Sequence, residues 1–276
     1  MTQTVKIISD STCDLSKELV EKYDITILPL HILLGEDEYR DGVDITPEEI
    51  FRWSDENKTT PKTSAPSLTE AMEVMQPFVE EGREIICFSI SDSMSTSGNV
   101  MRLAAEELEA SDKVTVIGLQ VIQAAILASE GKTAAEITTA IEAIRPKVRA
   151  SFVVDTLTYL HRGGRCSAVA ALAGGMLKLH PRIVVVDGAM DASKKYRGKL
   201  SSVILSYTRD MEEDLKNAVP DRVFITHSGC DREIVEAVRS YLESLGIFDE
   251  ILETRAGGVV SSHCGPGTLG VLFIAK

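Results

Sequence analysis

"EIICFSISDSMSTSGNVMRLAAEELEASDKVTVIGL", residues 84–119, carries the pattern that decides the fold. It opens with a short apolar run, "EIICFSIS", and closes with another, "VTVIGL". A helical segment lies between them. A strand, a helix and a second strand in this order predict a mostly parallel sheet covered by helices.

The alternation extends to both sides. "VKIIS" (5–9) reads as a buried strand, and "DLSKELVEKY" (14–23) as a helix with Asp14 at its N-cap. "ITILPLHILL" (25–34) is a further strand-like run. Thr46 to Glu49 combines a capping hydroxyl, a proline at the first helical position and a glutamate at the third. Ser67 to Glu70 and Thr133 to Glu136 are two more capping boxes. Past Val148 the character changes. "SFVVDT" (151–156) is strand-like, and "SAVAALAGGMLKL" (167–179) reads as a helix of small residues. In "PRIVVVDGAM" (181–190) a strand runs into Asp187-Gly188, a hairpin signal. "RVFITHSG" (222–229) is a strand, "DREIVEAVRSYLESLG" (231–246) a helix, and "GVLFIA" (270–275) a closing strand. An α/β protein of two lobes follows, residues 1–148 and 149–276.

Composition excludes several functions. The 276 residues are 44% hydrophobic and 26% charged, which is globular, and aromatics are only 5%, so aliphatic side chains fill the interior. Against 29 Lys and Arg stand 42 Asp and Glu, a net charge of −13. Such a surface repels phosphate backbones and anionic headgroups, which argues against nucleic-acid binding and membrane docking. Cys13, Cys87, Cys166, Cys230 and Cys264 are odd in number and form no CxxC, which fits a reducing, cytoplasmic setting. The N-terminus shows no signal-peptide pattern, and "ITILPLHILL" is too short to span a bilayer stably. His161, His180, His227 and Cys166 have no metal-ligand spacing, and no dinucleotide or P-loop glycine motif is present.

Four polar stretches at strand ends are left to carry chemistry. "PKTSAPS" (61–67) holds the hydroxyls of Thr63 and Ser64 between two prolines; it reads either as a rigid hydrogen-bonding loop or as an ordinary helix cap. The serine turn of residues 89–99 either binds a carboxylate or phosphate at a helix start or is a solvated turn. It lacks the Gly-x-Ser-x-Gly of a nucleophile elbow, since Ser93 and Ser97 flank Ser95. "YLHRGGRCS" (159–167) offers Arg162 and Arg165 around two glycines, either an anion grip or a glycine helix cap. In "SSHCGPG" (261–267), His263 is an anion donor, a general base or a histidine satisfied by its own backbone. Cys264 beside it is poorly arranged for catalysis if the pair sits on a strand.

Taken in order, these stretches resemble the DegV family of bacterial fatty-acid-binding proteins. The resemblance runs through "IISDSTCDLS", "YRDGVDITPEEIF", "PKTSAPS", the turn ending "SGN", "VDTLTYLHRGGRCS", "PRIVVVDGAM", "YRGK" and "SSHCGPGTLGV", nearly the whole chain. It implies two α/β lobes, the N-terminal with a mostly parallel sheet and flanking helices, the C-terminal with a mixed sheet and helices. It also implies a non-catalytic carrier that buries one long-chain fatty acid, such as palmitate, stearate or oleate, in an apolar tunnel. No cofactor is needed. The carboxylate is then held by Thr63, Ser95 and His263, with Ser64, Thr96, Ser97 and Cys264 beside them. A separate ATP-dependent fatty-acid kinase phosphorylates the carried acid, and Arg165 and Arg197 contact the kinase or the phosphate. Two positions depart from the family pattern: Ser95-Thr96-Ser97 stands where Ser-Gly-Thr is usual, and Cys264 where threonine is usual. The competing expectation is a serine-dependent acyl hydrolase or transferase using Ser95 and His263. A third is a phosphate- or nucleotide-binding regulator built on "HRGGR".

Overall fold

The computed structural model describes residues 4–118, 121–165 and 179–276. In chain order the strands are Val5–Asp10 (β1), Ile25–Leu28 (β2), His31–Leu34 (β3), Asp37–Arg40 (β4), Lys62–Ser64 (β5), Glu84–Ser89 (β6) and Val114–Gly118 (β7). They continue with Val148–Val153 (β8), Leu179–Val186 (β9), Ala189–Arg197 (β10), Arg222–Ser228 (β11), Glu250–Arg255 (β12) and Thr268–Ile274 (β13). The helices are Lys17–Lys22 (α1), Pro47–Asn57 (α2), Leu68–Glu80 (α3), Ser97–Glu107 (α4), Val121–Ser129 (α5), Ala134–Ile144 (α6), Thr158–Gly163 (α7), Leu200–Asp210 (α8), Glu212–Lys216 (α9), Arg232–Leu245 (α10) and Gly258–Cys264 (α11). The chain divides into two compact units, Met1–Ile45 with Thr63–Pro146, and Thr46–Lys62 with Lys147–Lys276.

In the first unit, β2, β1, β6 and β7 form an all-parallel sheet in that order. A parallel sheet is covered on both faces, so its central strands are apolar throughout, and every residue of β1 is buried. Side-chain alternation then sorts them. Ile7, Ile86 and Phe88 pack with Val121, Ile137 and Ile141 of α5 and α6. Ile8, Ile85 and Cys87 pack with Met75 of α3 and Met101 of α4. The capping boxes at Ser67 and Thr133 form as the sequence predicts. A separate small sheet, in the order β4, β3, β5, carries Thr63 on its last strand.

Two expectations for this unit are corrected. Asp14 is not the N-cap of the first helix; it takes a left-handed conformation (φ 52°), and Ser16 caps α1 by accepting from the Leu19 N–H at 3.4 Å. "ITILPLHILL" is two strands in two sheets. Pro29, which has no N–H to give a ladder, lies between them.

The second unit is built on a mixed sheet, ordered β10, β9, β8, β13, β11, β12. All neighbours are antiparallel except β11 and β12. The hairpin at Asp187-Gly188 forms with φ of 49° and 77°, the doubly positive pair that a two-residue hairpin turn requires. Tyr207 of α8, fully buried, bonds the Ser151 carbonyl of β8 at 2.6 Å and accepts from the Val271 N–H of β13 at 3.0 Å. One phenol thus fixes a helix to two adjacent strands. The capping box at Thr46 starts α2 as predicted, and this helix packs within the second unit. The helix expected over 167–179 lies outside the described residues, except Leu179, which opens β9. "SSHCGPG" does not follow a strand end; Gly258–Cys264 is a short helix, with the Ser261 N–H bonded to Gly257 O at 2.9 Å.

Candidate functional site

The first unit carries a cluster of hydroxyls at the end of its sheet. β6 ends at Ser89, and α4 begins at Ser97, so the serine turn sits at the carboxyl edge of a parallel sheet. The Met94 and Ser95 N–H groups bond the Ser91 carbonyl at 2.8 and 3.1 Å. The Ser97 N–H donates to Ser95 Oγ at 3.2 Å. Ser97 itself is buried, and its hydroxyl donates to Asp10 Oδ2 at 2.7 Å. Ser95 is half-buried and Thr96 exposed. A Cβ on Gly98 would stand 2.7 Å from Ser89 Oγ and 2.8 Å from Asp92 Oδ1, so a side chain there would require those two side chains to move. Burial pushes the Asp10 carboxyl pKa up, against bonds from Thr12, Ser97 and Ile90 that favour the ionised form.

Thr63 is half-buried and Ser64 exposed, between the buried Pro61 and Pro66. The far end of this loop is tied down. Glu70 accepts from the Ser67 N–H at 2.8 Å and from its hydroxyl at 2.6 Å. His31 Nε2 on β3 lies 3.0 Å from Glu70, and its Nδ1 lies 2.8 Å from Glu38. The helix-cap reading of "PKTSAPS" holds at Ser67, and Thr63 stands on a strand ahead of it.

The second unit carries His263. His263 is half-buried on α11. α7 ends against it, because a Cβ on Gly163 would run into His263 Nδ1. Gly164 is a left-handed C-cap (φ 66°) whose N–H bonds Leu160 O at 3.2 Å. The glycine pair thus has a structural account: Gly163 admits the imidazole and Gly164 ends the helix. Arg165 donates to the Gly163 carbonyl at 2.7 Å. Cys264, next to His263 on the helix, is buried. Gly265 follows at φ 77° and ψ 171°, beside the ring of Tyr159. Tyr159 in turn donates to Ser54 of α2 at 3.1 Å and meets Phe51 edge-on, centroids 6.2 Å apart. Arg197, exposed at the end of β10, precedes Gly198. Asp155, His180, Gly198, Lys199 and Leu200 line an open pocket of about 510 Å³ there.

Burial, and next the positive charge of Arg165, bring the His263 pKa down to about 4, so the imidazole is neutral at pH 7. The sign for stability follows. The unfolded chain carries an ordinary histidine near 6.5 and takes up its proton first as pH falls. The contribution of neutral His263 is complete above about 6.5 and is lost progressively toward about 4. The thermal midpoint is therefore expected to fall between pH 7 and pH 5, and to fall less in His263→Gln. Equal pH slopes for parent and variant would show that His263 carries none of it.

The sequence singles out the serine turn, the Thr-Ser loop and His263. It does not single out Asp10, whose "SDST" setting reads as a loop cap, or Tyr159, whose hydrogen-bond partner Ser54 lies 105 residues away in sequence. Among the described residues no group of His, Cys, Asp and Glu is placed to hold a metal ion. Among them too, no helix is long and apolar enough to cross a membrane.

A parallel sheet and a mixed sheet, each with its helices, define an α/β protein. The family model described as "Uncharacterised protein, DegV family" matches residues 4–276, and the chain belongs to the DegV family. A DegV domain-containing protein of Clostridium perfringens is 32% identical over 280 residues, 99% of each chain. One of Deinococcus radiodurans is 31% identical over 281 residues, 97% of each. Among solved structures, a DegV family protein from Thermus thermophilus, described by its fatty acid binding, has a TM-score of 0.90 at 29% identity, covering 99% of this chain and 100% of that one. A stearic-acid-binding protein from Eubacterium ventriosum has a TM-score of 0.84 at 31% identity, covering 99% and 98%.

Proposed function

We propose that the chain binds one long-chain fatty acid in an apolar tunnel, with the carboxylate held by Thr63, Ser95 and His263. Ser64, Thr96, Ser97 and Cys264 complete the surroundings of the head group. The observation that carries this reading is full-length likeness, in sequence and fold, to two proteins named for fatty-acid binding. The local geometry supports it. The Ser97 hydroxyl is engaged by Asp10, whereas Ser95 uses its oxygen to accept from the Ser97 N–H, an arrangement that directs the Ser95 proton toward an outside acceptor. Neutral His263 supplies one N–H. A carboxylate brought against it draws its pKa back up, so the pair gains charge assistance on binding.

Each methylene buried contributes about 0.8 kcal/mol, so a palmitate tail supplies on the order of 10 kcal/mol before ordering costs. Three donors are then needed at the head, because a buried carboxylate without them costs several kcal/mol. The chain in this reading is a non-catalytic carrier. It presents the acid to an ATP-dependent kinase that forms the acyl phosphate, and Arg165 and Arg197, the latter beside the open pocket at His180, meet the kinase or the phosphate. The test is the native mass of the chain purified without added lipid. An acyl chain bound to it supports the reading; a lipid-free chain that also takes up no palmitate contradicts it.

A further inference from the structure

We propose that Asp10 is a positioning residue for the head-group site, setting the place and the hydrogen-bonding role of Ser95 from behind the serine turn. The inference rests on Ser95 being a donor to the carboxylate. Asp10 ends the central strand of the parallel sheet and is fully buried. Its two oxygens face four donors. Oδ1 accepts from the Thr12 N–H at 3.2 Å and the Thr12 hydroxyl at 2.5 Å. Oδ2 accepts from the Ile90 N–H at 3.0 Å and the Ser97 hydroxyl at 2.7 Å.

These donors come from the turn after β1, the end of β6 and the start of α4, three segments that a single side chain holds in register. The site is built for an acceptor-only group. An amide would turn its NH2 toward the backbone N–H of Thr12 or of Ile90, which cannot rotate away. A fully buried carboxyl is costly to hold, and its donors come from Thr12, Ile90 and Ser97, none of them a cation. We read its reach into the site as the reason it is kept. Ser97, held by Asp10, donates its own N–H to Ser95 Oγ. That contact occupies a lone pair of Ser95 and leaves its O–H as the group to be aimed. At Gly98 the missing Cβ lets the start of α4 come close to the Ser89 and Asp92 side chains.

The test is a double-mutant cycle on palmitate affinity, measured by calorimetry on the full chain: the parent, Asp10→Asn, Ser95→Ala and the pair together. Asp10→Asn and Ser95→Ala are each expected to weaken binding about tenfold, and the double variant to bind no more weakly than Ser95→Ala within about twofold. A purely structural role for Asp10 predicts losses that multiply, and that result overturns the inference. So does Asp10→Asn binding as tightly as the parent while Ser95→Ala is weakened; the inference then fails alone. If Ser95→Ala binds like the parent, the reading of Ser95 fails and the inference falls with it. Should Asp10→Asn not fold, Ser97→Ala enters the same cycle, since it removes one bond and leaves the carboxylate three donors. The same non-additive loss is expected there, and parent-like affinity overturns the inference.

Discussion

Replacing Gly265 by alanine lowers the thermal midpoint of the protein by roughly ten degrees, while Gly164→Ala lowers it by only a few. Both glycines have positive φ, and the difference lies in what surrounds them. Gly164 is in the left-handed region with nothing within 4 Å of its missing Cβ, so alanine there costs about 1 kcal/mol. Gly265 has φ 77° and ψ 171°, a region populated almost only by glycine, where strain costs roughly 1–3 kcal/mol. Its Cβ would stand 2.6 Å from the Tyr159 ring, itself held by Ser54 and Phe51, and overpacking adds about 1–3 kcal/mol. The sum is a large part of a normal stability of roughly 5–15 kcal/mol. Differential scanning fluorimetry of both variants decides it, and equal losses at the two positions contradict the packing of Tyr159 against this turn. The same turn ends α11, so the stability of Gly265 and the placement of His263 are one problem.

The second large effect is on ligand binding. His263→Ala and Ser95→Ala are each expected to weaken palmitate binding by about 1.5–3 kcal/mol, tenfold or more, because each removes a donor to a charged oxygen. The tail contribution stays, so binding is reduced rather than abolished. His263→Ala also removes the ring that Gly163 accommodates, whereas Ser95→Ala leaves the Asp10–Ser97 contact in place. Calorimetric titration with palmitate measures both. Unchanged affinity in both variants moves the head-group site away from these residues.

Much of this was legible in the sequence because the signals were local. The 84–118 unit alternates apolar run, turn and helix, and each capping box places its hydroxyl and glutamate three residues apart, so a reader sees cause and effect within one turn. What local pattern cannot carry was read wrongly or missed. Ser16, not Asp14, caps α1 because Asp14 is taken up in closing the preceding turn at φ 52°. "GGVVSSHC" has glycine and β-branched residues that disfavour helix, yet it is helical where α7 packs against it, a tertiary effect that overrides propensity. The packing of α2 with the second unit depends on Ser54 and Phe51 meeting Tyr159, far along the chain. Thr63, Ser95 and His263 enter the proposed site through the order of their motifs. Asp10 was not, because an aspartate at a strand end reads as a turn residue until its four donors are seen together.

The claim beneath all of this is that one chain encloses one lipid acid, gripping its charged end with hydroxyls and an imidazole. Native mass spectrometry of the full chain, as purified and again after delipidation and exposure to palmitate, tests that most directly. The account predicts a single added long-chain acid in the first spectrum and its restoration at one per chain in the second. A chain that is lipid-free as purified and remains so in the presence of palmitate contradicts it.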